Sequence, residues 1–202
     1  MQYIKGLDAF DGRNHTAVTL GKFDGLHRGH QKLLNRIMKY AQKEDCDSVV
    51  CAFDMDRDCL MTNEERRAFL EDKVDYLIEI PFTREMMEME AEKFIDEILY
   101  KKLHASHIVV GTDFNFGHEK RGNHQMLEKY AAKYGYTVDV VEKAYYKDRE
   151  ISSTYIRELL LDGNVPLANE LLGYPYEITS VVEHGQQLGR TLGFPTMNLA
   201  PQ

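Results

Sequence analysis

A chain of 202 residues with 43% hydrophobic side chains can bury one core, or one core and a fragment of another. Its net charge of −8 argues against general nucleic-acid binding, which needs a basic face, so anionic ligands must be held by local bases such as Lys22, Arg28, Lys120, Arg121 and Arg157. No apolar run approaches the ~20 residues of a membrane span. Three cysteines (Cys46, Cys51 and Cys59) without Cys-x-x-Cys spacing, and no charged-then-apolar leader, predict reduced thiols in a cytoplasmic protein.

The first predicted strand, Thr16–Leu20, runs into Gly21-Lys22-Phe23-Asp24-Gly25-Leu26-His27-Arg28-Gly29-His30. An amphipathic helix follows at once, with Leu33, Leu34, Ile37, Met38 and Ala41 on one face. A helix start with close-approaching backbone is an anion site, because its unpaired N–H groups and dipole favour negative charge. Two histidines beside it suit a phosphate whose charge changes during a reaction. The segment is not a Walker A loop, which would need Lys-Ser/Thr after its second glycine, nor is it Gly-x-Gly-x-x-Gly. A zinc pair is the other reading of His27 and His30, but no third ligand stands nearby.

Ser48–Phe53, Asp75–Ile80, His107–Val110 and Thr137–Val141 read as further strands, short and rich in Val and Ile. Between them, Thr62-Asn63-Glu64-Glu65 is a capping-box pattern. Ala91, Phe94, Ile95, Ile98 and Leu99 form a helical stripe, and a helix from about His124 to Tyr134 stops near Gly135. Met86, Met87 and Met89 read as core or groove packing rather than ligand contacts. Repeated βα units predict an α/β fold, a parallel doubly wound sheet with ligands at the carboxyl ends of its strands.

Two later segments carry chemistry. Gly111-Thr112-Asp113-Phe114-Asn115-Phe116-Gly117, extended through Lys120, Arg121 and Gly122, leads from a strand into a glycine loop with two aromatics and two bases; alone it also reads as an ordinary packed βα loop. Ile151-Ser152-Ser153-Thr154-Tyr155-Ile156-Arg157 offers hydroxyls at a helix start and an arginine one turn on; alone it also reads as a serine N-cap, and together these groups suit a second anion cradle. Helices are predicted over Ser152–Leu161 and Pro166–Leu172, the second capped by Asn164 and closed by Gly173. From Tyr174 the sequence turns strand-like, over Glu177–Glu183 and Thr191–Leu199. The expected organisation is 1–160, 161–173 as a helical linker, and 174–202.

The first segment resembles the His-x-Gly-His signature of adenylyl- and cytidylyltransferases, and Gly-x-Phe-Asp-Gly narrows the resemblance to bacterial FAD synthetases. These are bifunctional proteins, an FMN adenylyltransferase followed by a riboflavin kinase. The second segment is similar to the family's Gly-x-Asp-Phe-x-Phe-Gly-x4-Gly and the third to its Ile-Ser-Ser-Thr-x-Ile-Arg, which closes over ATP phosphates. Gly189 to Asn198 resembles the kinase start, whose Pro-Thr-x-Asn binds ATP phosphates with magnesium. The resemblance implies a Rossmann-like nucleotidylyltransferase with ATP and FMN as substrates and FAD and pyrophosphate as products. It assigns ATP binding to Gly21, Lys22, Phe23, Asp24, Gly25, His27, His30, Ser152, Ser153, Thr154 and Arg157. Of these, His27, His30 and Arg157 are expected to act in catalysis. Asp113, Phe114 and Phe116 are expected at the flavin and nucleotide region, with Lys120 and Arg121 on a loop near the phosphates, and Thr196 and Asn198 as a kinase remnant.

A mechanism by alignment and charge neutralisation follows, since an FMN phosphate is already anionic and needs no general base. No carboxylate pair marks a protein-built metal site, so Mg2+ is expected mainly on phosphate oxygens. A barrel of about six strands at ~6 residues each, with turns, needs at least ~55 residues. The stretch from Tyr174 to Gln202 is shorter, so kinase activity is expected to be absent and self-association through the incomplete segment is expected instead. Partners are then small nucleotides, with no nucleic acid or membrane. One departure stands out: many members carry a Pro-His-Pro-like segment where this chain has Asp54-Met55-Asp56-Arg57-Asp58. The alternatives are a same-fold transferase for another phosphate substrate and a non-catalytic flavin or nucleotide sensor.

Overall fold

The structure is a computed structural model and describes residues 1–54, 59–186 and 188–199. Most of the loop that departs from the family pattern, Met55–Asp58, lies outside the described residues.

Six parallel strands form the central sheet: β1 (Gln2–Lys5), β2 (His15–Gly21), β3 (Cys46–Phe53), β4 (Tyr76–Ile80), β5 (Ala105–Gly111) and β8 (Thr137–Val141), in the order β1-β4-β3-β2-β5-β8. The order reverses direction at β2, where β3 lies on one side and β5 on the other. Side chains alternate across the central strands with the period of two that a pleat imposes. On β3, Val49 and Cys51 join one core cluster while Val50 and Ala52 join the other.

Helices cover both faces. On one, Leu34 and Ile37 of α1 (Arg28–Lys43) and Leu70 of α2 (Asn63–Leu70) pack with Val50, Leu77 and Val109. The Thr62 capping box forms, its hydroxyl accepting from Glu65 N–H at 3.2 Å and the Glu65 carboxylate accepting from Thr62 N–H at 2.8 Å. On the other face lie Ala91, Phe94, Ile95, Ile98 and Leu99, together with Leu127 of α5 (His124–Tyr134). The helical stripe is therefore the core stripe, but its path is a short α3 (Arg84–Glu88), then α4 (Ala91–Lys93) continuing as a π-helical run over Phe94–Lys102. Gly135 ends α5 in the left-handed conformation at φ 78.

Two short antiparallel pairs sit in the loops beyond the strands, β6 (Asn115–Phe116) with β7 (Gly122–Asn123) and β9 (Tyr145–Tyr146) with β10 (Arg149–Glu150). Helices α6 (Ser153–Leu161) and α7 (Val165–Leu172) then form a third apolar cluster with Leu60 and Ala144, which follow the carboxyl ends of β3 and β8. This places the third sequence motif at the carboxyl end of the sheet, beside the first.

Two expectations change. β1 escapes the sequence reading because a four-residue edge strand is too short to show periodicity. Among the described residues of the C-terminal segment, only Val182–Glu183 (β11) and Asn198–Leu199 (β12) are strand, paired antiparallel, and Thr191 closes a short helix, α8 (Leu188–Thr191). The strand-like residues there lack a sheet to join, so Ile178, Val181, Leu192, Phe194 and Met197 stay exposed.

Candidate active site

Two adjoining cavities open at the carboxyl ends of β2 and β5. The larger, about 940 Å³, has apolar walls: Phe53, Phe82, Met86, Met87, Phe94, Phe114 and Phe116, with Gly21, Lys22, Phe23 and Lys120 along its polar side. The smaller, about 300 Å³, is lined by His27, Gly29, Lys143, Glu150 and the run Ile151–Thr154. His30, Leu33, Gly111 and Asp113 belong to both, so the cavities meet at His30 and Asp113. Of the methionines expected as core or groove packing, Met86 and Met87 line the larger cavity, and Met86 and Met89 pack against the core.

His27 is the N-cap of α1, and its Nδ1 accepts from Gly29 N–H at 3.2 Å. An imidazole that accepts at Nδ1 is neutral and carries its proton on Nε2. Burial pushes the His27 pKa down to about 4. His30 stacks on it with centroids 3.8 Å apart and is also held well below the usual range, by burial and then by His27. His30 Nδ1 is buried and finds no hydrogen-bond partner among the described residues. A ligand oxygen reaching that atom would satisfy it, since buried polar atoms ordinarily are paired.

The turn before them is strained. Phe23 (φ 52) and Leu26 (φ 37) are non-glycine residues in or near the left-handed region, and Gly25 has φ 74. At that φ glycine is favoured, and a Cβ there would also crowd Leu60, 2.7 Å from its Cδ1 and 3.2 Å from its Cβ. Asp24 and Gly25 line neither cavity; they face backward into the fold. Asp24, 7% exposed, accepts from Leu60 N–H at Oδ1 (2.7 Å) and from Arg157 Nη2 at Oδ2 (3.0 Å). Burial outweighs these partners and the Met61 N–H, and leaves the Asp24 carboxyl above its usual range.

The third motif is accordingly divided in its contacts. The Ser152 hydroxyl caps α6 by accepting from Tyr155 N–H at 3.2 Å, and the Ser153 hydroxyl donates to Asp24 O at 2.8 Å, while Ser152, Ser153 and Thr154 all line the smaller cavity. Arg157 lines neither cavity and is paired with Asp24, so in this state it braces the glycine turn rather than facing a ligand. Lys120 borders the larger cavity, whereas Arg121 is turned to Glu90 (3.7 Å) and Glu119 (3.6 Å). Thr196 and Asn198 lie in the C-terminal segment and line neither cavity.

Residues without a sequence motif complete the site. Lys143 Nζ pairs with Asp113 at 3.0 Å and Glu150 at 2.8 Å beside the smaller cavity. It stands two residues past β8, a carboxyl-end position that the fold alone would flag. Arg66, 0% exposed, donates to Lys22 O and Glu79 Oε1 at 3.0 Å each and to Asn63 Oδ1 at 2.9 Å. Tyr3 of β1 donates to the other Glu79 oxygen at 2.6 Å, and burial with that bond raises the Tyr3 pKa to about 12. No local signal distinguishes Arg66 from its neighbour Arg67 in an amphipathic helix; burial does.

Known proteins resemble this chain over most of its length. The FAD synthetase family profile matches residues 10–155 and the riboflavin kinase profile residues 172–202. A bifunctional riboflavin kinase/FMN adenylyltransferase of Buchnera aphidicola is 35% identical over 99% of this chain and 68% of its own length. The Haemophilus influenzae protein of that description is 36% identical over 98% of this chain and 68% of its own. The Escherichia coli K12 protein is 35% identical over 90% of this chain and 62% of its own. A solved chain described as a macrolide-efflux protein from Streptococcus pneumoniae superposes with a TM-score of 0.86 at 32% identity, covering 98% of this chain and 68% of that one. Among the described residues no helix is long and apolar enough to cross a membrane. Profile, relatives and sheet topology converge: the chain belongs to the FAD synthetase family, alongside bifunctional riboflavin kinase/FMN adenylyltransferases, and is an enzyme of the nucleotidyltransferase class.

Proposed function

We propose that this chain transfers AMP from ATP to FMN, giving FAD and pyrophosphate. The observation that carries the reading is the pair of joined cavities, one apolar and aromatic, one polar, meeting at His30 and Asp113. The flavin ring suits the larger, where Phe53, Phe82, Phe114 and Met87 offer flat or adaptable apolar surface. The ATP phosphates suit the junction at the start of α1, with Ser152, Ser153 and Thr154 on the far wall. An FMN phosphate oxygen then attacks the ATP α-phosphorus and pyrophosphate leaves. Neutral imidazoles donating N–H groups, His27 through Nε2, stabilise the charge that grows on the α-phosphate oxygens. No residue has to remove a proton, because the attacking phosphate is already ionised. Magnesium would supply charge neutralisation as the ion carried by ATP. Phosphate oxygens and water would hold it, with Asp113 the carboxylate lining both cavities.

Residues 1–160 would carry this chemistry, in the cytoplasm, with small nucleotides as partners. Kinase activity is not part of the proposal: the described part of 172–202 forms the β11–β12 pair and α8, not a closed barrel. Incubating the chain with ATP, magnesium and FMN and chromatographing for FAD tests the first step, and riboflavin with ATP tests the second. FAD from FMN and no FMN from riboflavin is the expected result. Flavin or nucleotide binding without any product would instead mark a sensor.

A further inference from the structure

The carbonyls of the glycine turn are held from behind, and two of the holders lie outside every motif of the transferase. Tyr174 donates its phenol O–H to Gly25 O at 2.6 Å. Gln31 Nε2 donates to Leu26 O at 2.9 Å and to Leu172 O at 2.7 Å, tying α1, the turn and the end of α7 together. Leu172 also reaches over Gly25, its Cδ2 3.4 Å from where a Cβ would stand. The Phe69 ring, 5.0 Å away between centroids, fixes the Tyr174 ring. Because C=O and the following N–H of a trans peptide point in opposite directions, holding Gly25 O and Leu26 O sets the Leu26 and His27 amides. A turn with two non-glycine residues at positive φ persists only where its surroundings over-determine it.

We propose that Tyr174, acting with Gln31, is a positioning residue for adenylyl transfer, and that through it the first residues of the riboflavin-kinase-type segment brace the catalytic turn. The kinase profile begins at residue 172, so Leu172 and Tyr174 belong to that segment, while Gly25, whose carbonyl Tyr174 holds, and Gln31, which donates to Leu172 O, belong to the transferase. The two parts of the chain thus share a joint at Gly25 and Leu26, directly before His27. This inference rests on the FMN adenylyltransferase reading above.

Tyr174→Phe removes one oxygen and keeps the ring packing. Turnover for FAD formation should fall by about tenfold, the equivalent of one buried hydrogen bond, while KM for FMN stays within about twofold. Amide hydrogen exchange over residues 21–27, read by mass spectrometry, should quicken in the same variant. Gln31→Met should reproduce both effects if Tyr174→Phe folds poorly. Wild-type turnover and unchanged exchange, even with a lower melting temperature, would overturn the inference. If the wild-type chain forms no FAD at all, the functional reading fails separately, and the exchange measurement still decides whether Tyr174 braces the turn.

Discussion

The Asp24 carboxylate and the Arg157 guanidinium, 133 residues apart in the chain, meet at 3.0 Å and lock the glycine turn to helix α6. The first and third motifs are thereby one structural unit before any ligand arrives. Ser153 adds a second tie through Asp24 O.

Removing Arg157 leaves a buried carboxylate without its charge partner. Arg157→Ala should cost about 2 kcal/mol of stability, below the 3–5 of a fully buried pair because Arg157 is one-third exposed. Adding Asp24→Asn should cost little more, and a double-mutant cycle by urea unfolding measures that coupling. ATP use should weaken as the turn loosens, with flavin fluorescence quenching nearly unchanged. Additive single effects would show that the two side chains act independently.

His27 has two duties that one pair of variants separates. Asn at an N-cap can still accept from the α1 backbone, so His27→Asn should keep the helix start while removing the Nε2 donor. Turnover should drop about 10²–10³-fold with little change in FMN affinity. His27→Ala should lose in addition about 1 kcal/mol of stability. His30→Ala should lower turnover in the same way, and its melting temperature must be compared because the ring is stacked on His27.

The same burial predicts a pH dependence of stability. His27 has a folded pKa of about 4 against an ordinary 6.5, so between those values the unfolded chain binds more protons. Stability should therefore fall as pH drops from 6.5 to 4, with His27 accounting for at most about 3 kcal/mol and His30 adding to the same sign. Urea midpoints at several pH values across that window give the slope. In His27→Asn the slope should flatten, and an unchanged slope would place the titrating group elsewhere.

The larger cavity should answer to flavin alone. Phe114 lines it and packs beside Phe116 with centroids 5.6 Å apart. Phe114→Ala should weaken FMN binding by about 1 kcal/mol or more, roughly fivefold upward, and leave the apparent KM for ATP near its original value. Titration of FMN fluorescence and ATP kinetics, run side by side, make the comparison; a loss confined to ATP would exchange the two cavities.

Deleting residues 177–202 should preserve adenylyl transfer, because every cavity-lining residue and the Tyr174 anchor lie before the cut. The hydrogen bond from Thr179 N–H to Glu65 Oε1 at 3.2 Å is lost with the segment. Exposed Ile178, Leu192, Phe194 and Met197 go with the segment, so light scattering should report less self-association. A large fall in FAD formation with folding intact would place that segment in the active site.

Much of the architecture was legible because it is written in near neighbours. Thr137–Val141 has the Val-rich content of a buried parallel strand and is β8 residue for residue. Thr62 to Glu65, His124 to Gly135 and Asn164 to Gly173 carry their own start and stop chemistry, so their helices could be placed locally. The coincidence of strand end, glycine turn and histidines pointed to the cleft for the same reason. β1 was not legible, since four residues show no period and its place beside β4 is set by the sheet.

The sequence by itself determined the parallel α/β fold, the turn at Gly21–His30 and the three segments that gather around one cleft, because periodicity, caps and glycine positions act over a few residues. Only the tertiary structure decided which of those side chains face the cleft and which hold it open. Asp24 and Arg157 look like phosphate ligands in a linear motif, yet they turn to one another, and Ser153 lines the smaller cavity while tying Asp24 O. Arg66 and Tyr174 carry no motif, yet each donates to a carbonyl of the turn from 44 and 149 residues away. A buried carbonyl accepts from whatever donor the packing brings to it, and that donor's place in the chain is set by the fold rather than by its neighbours.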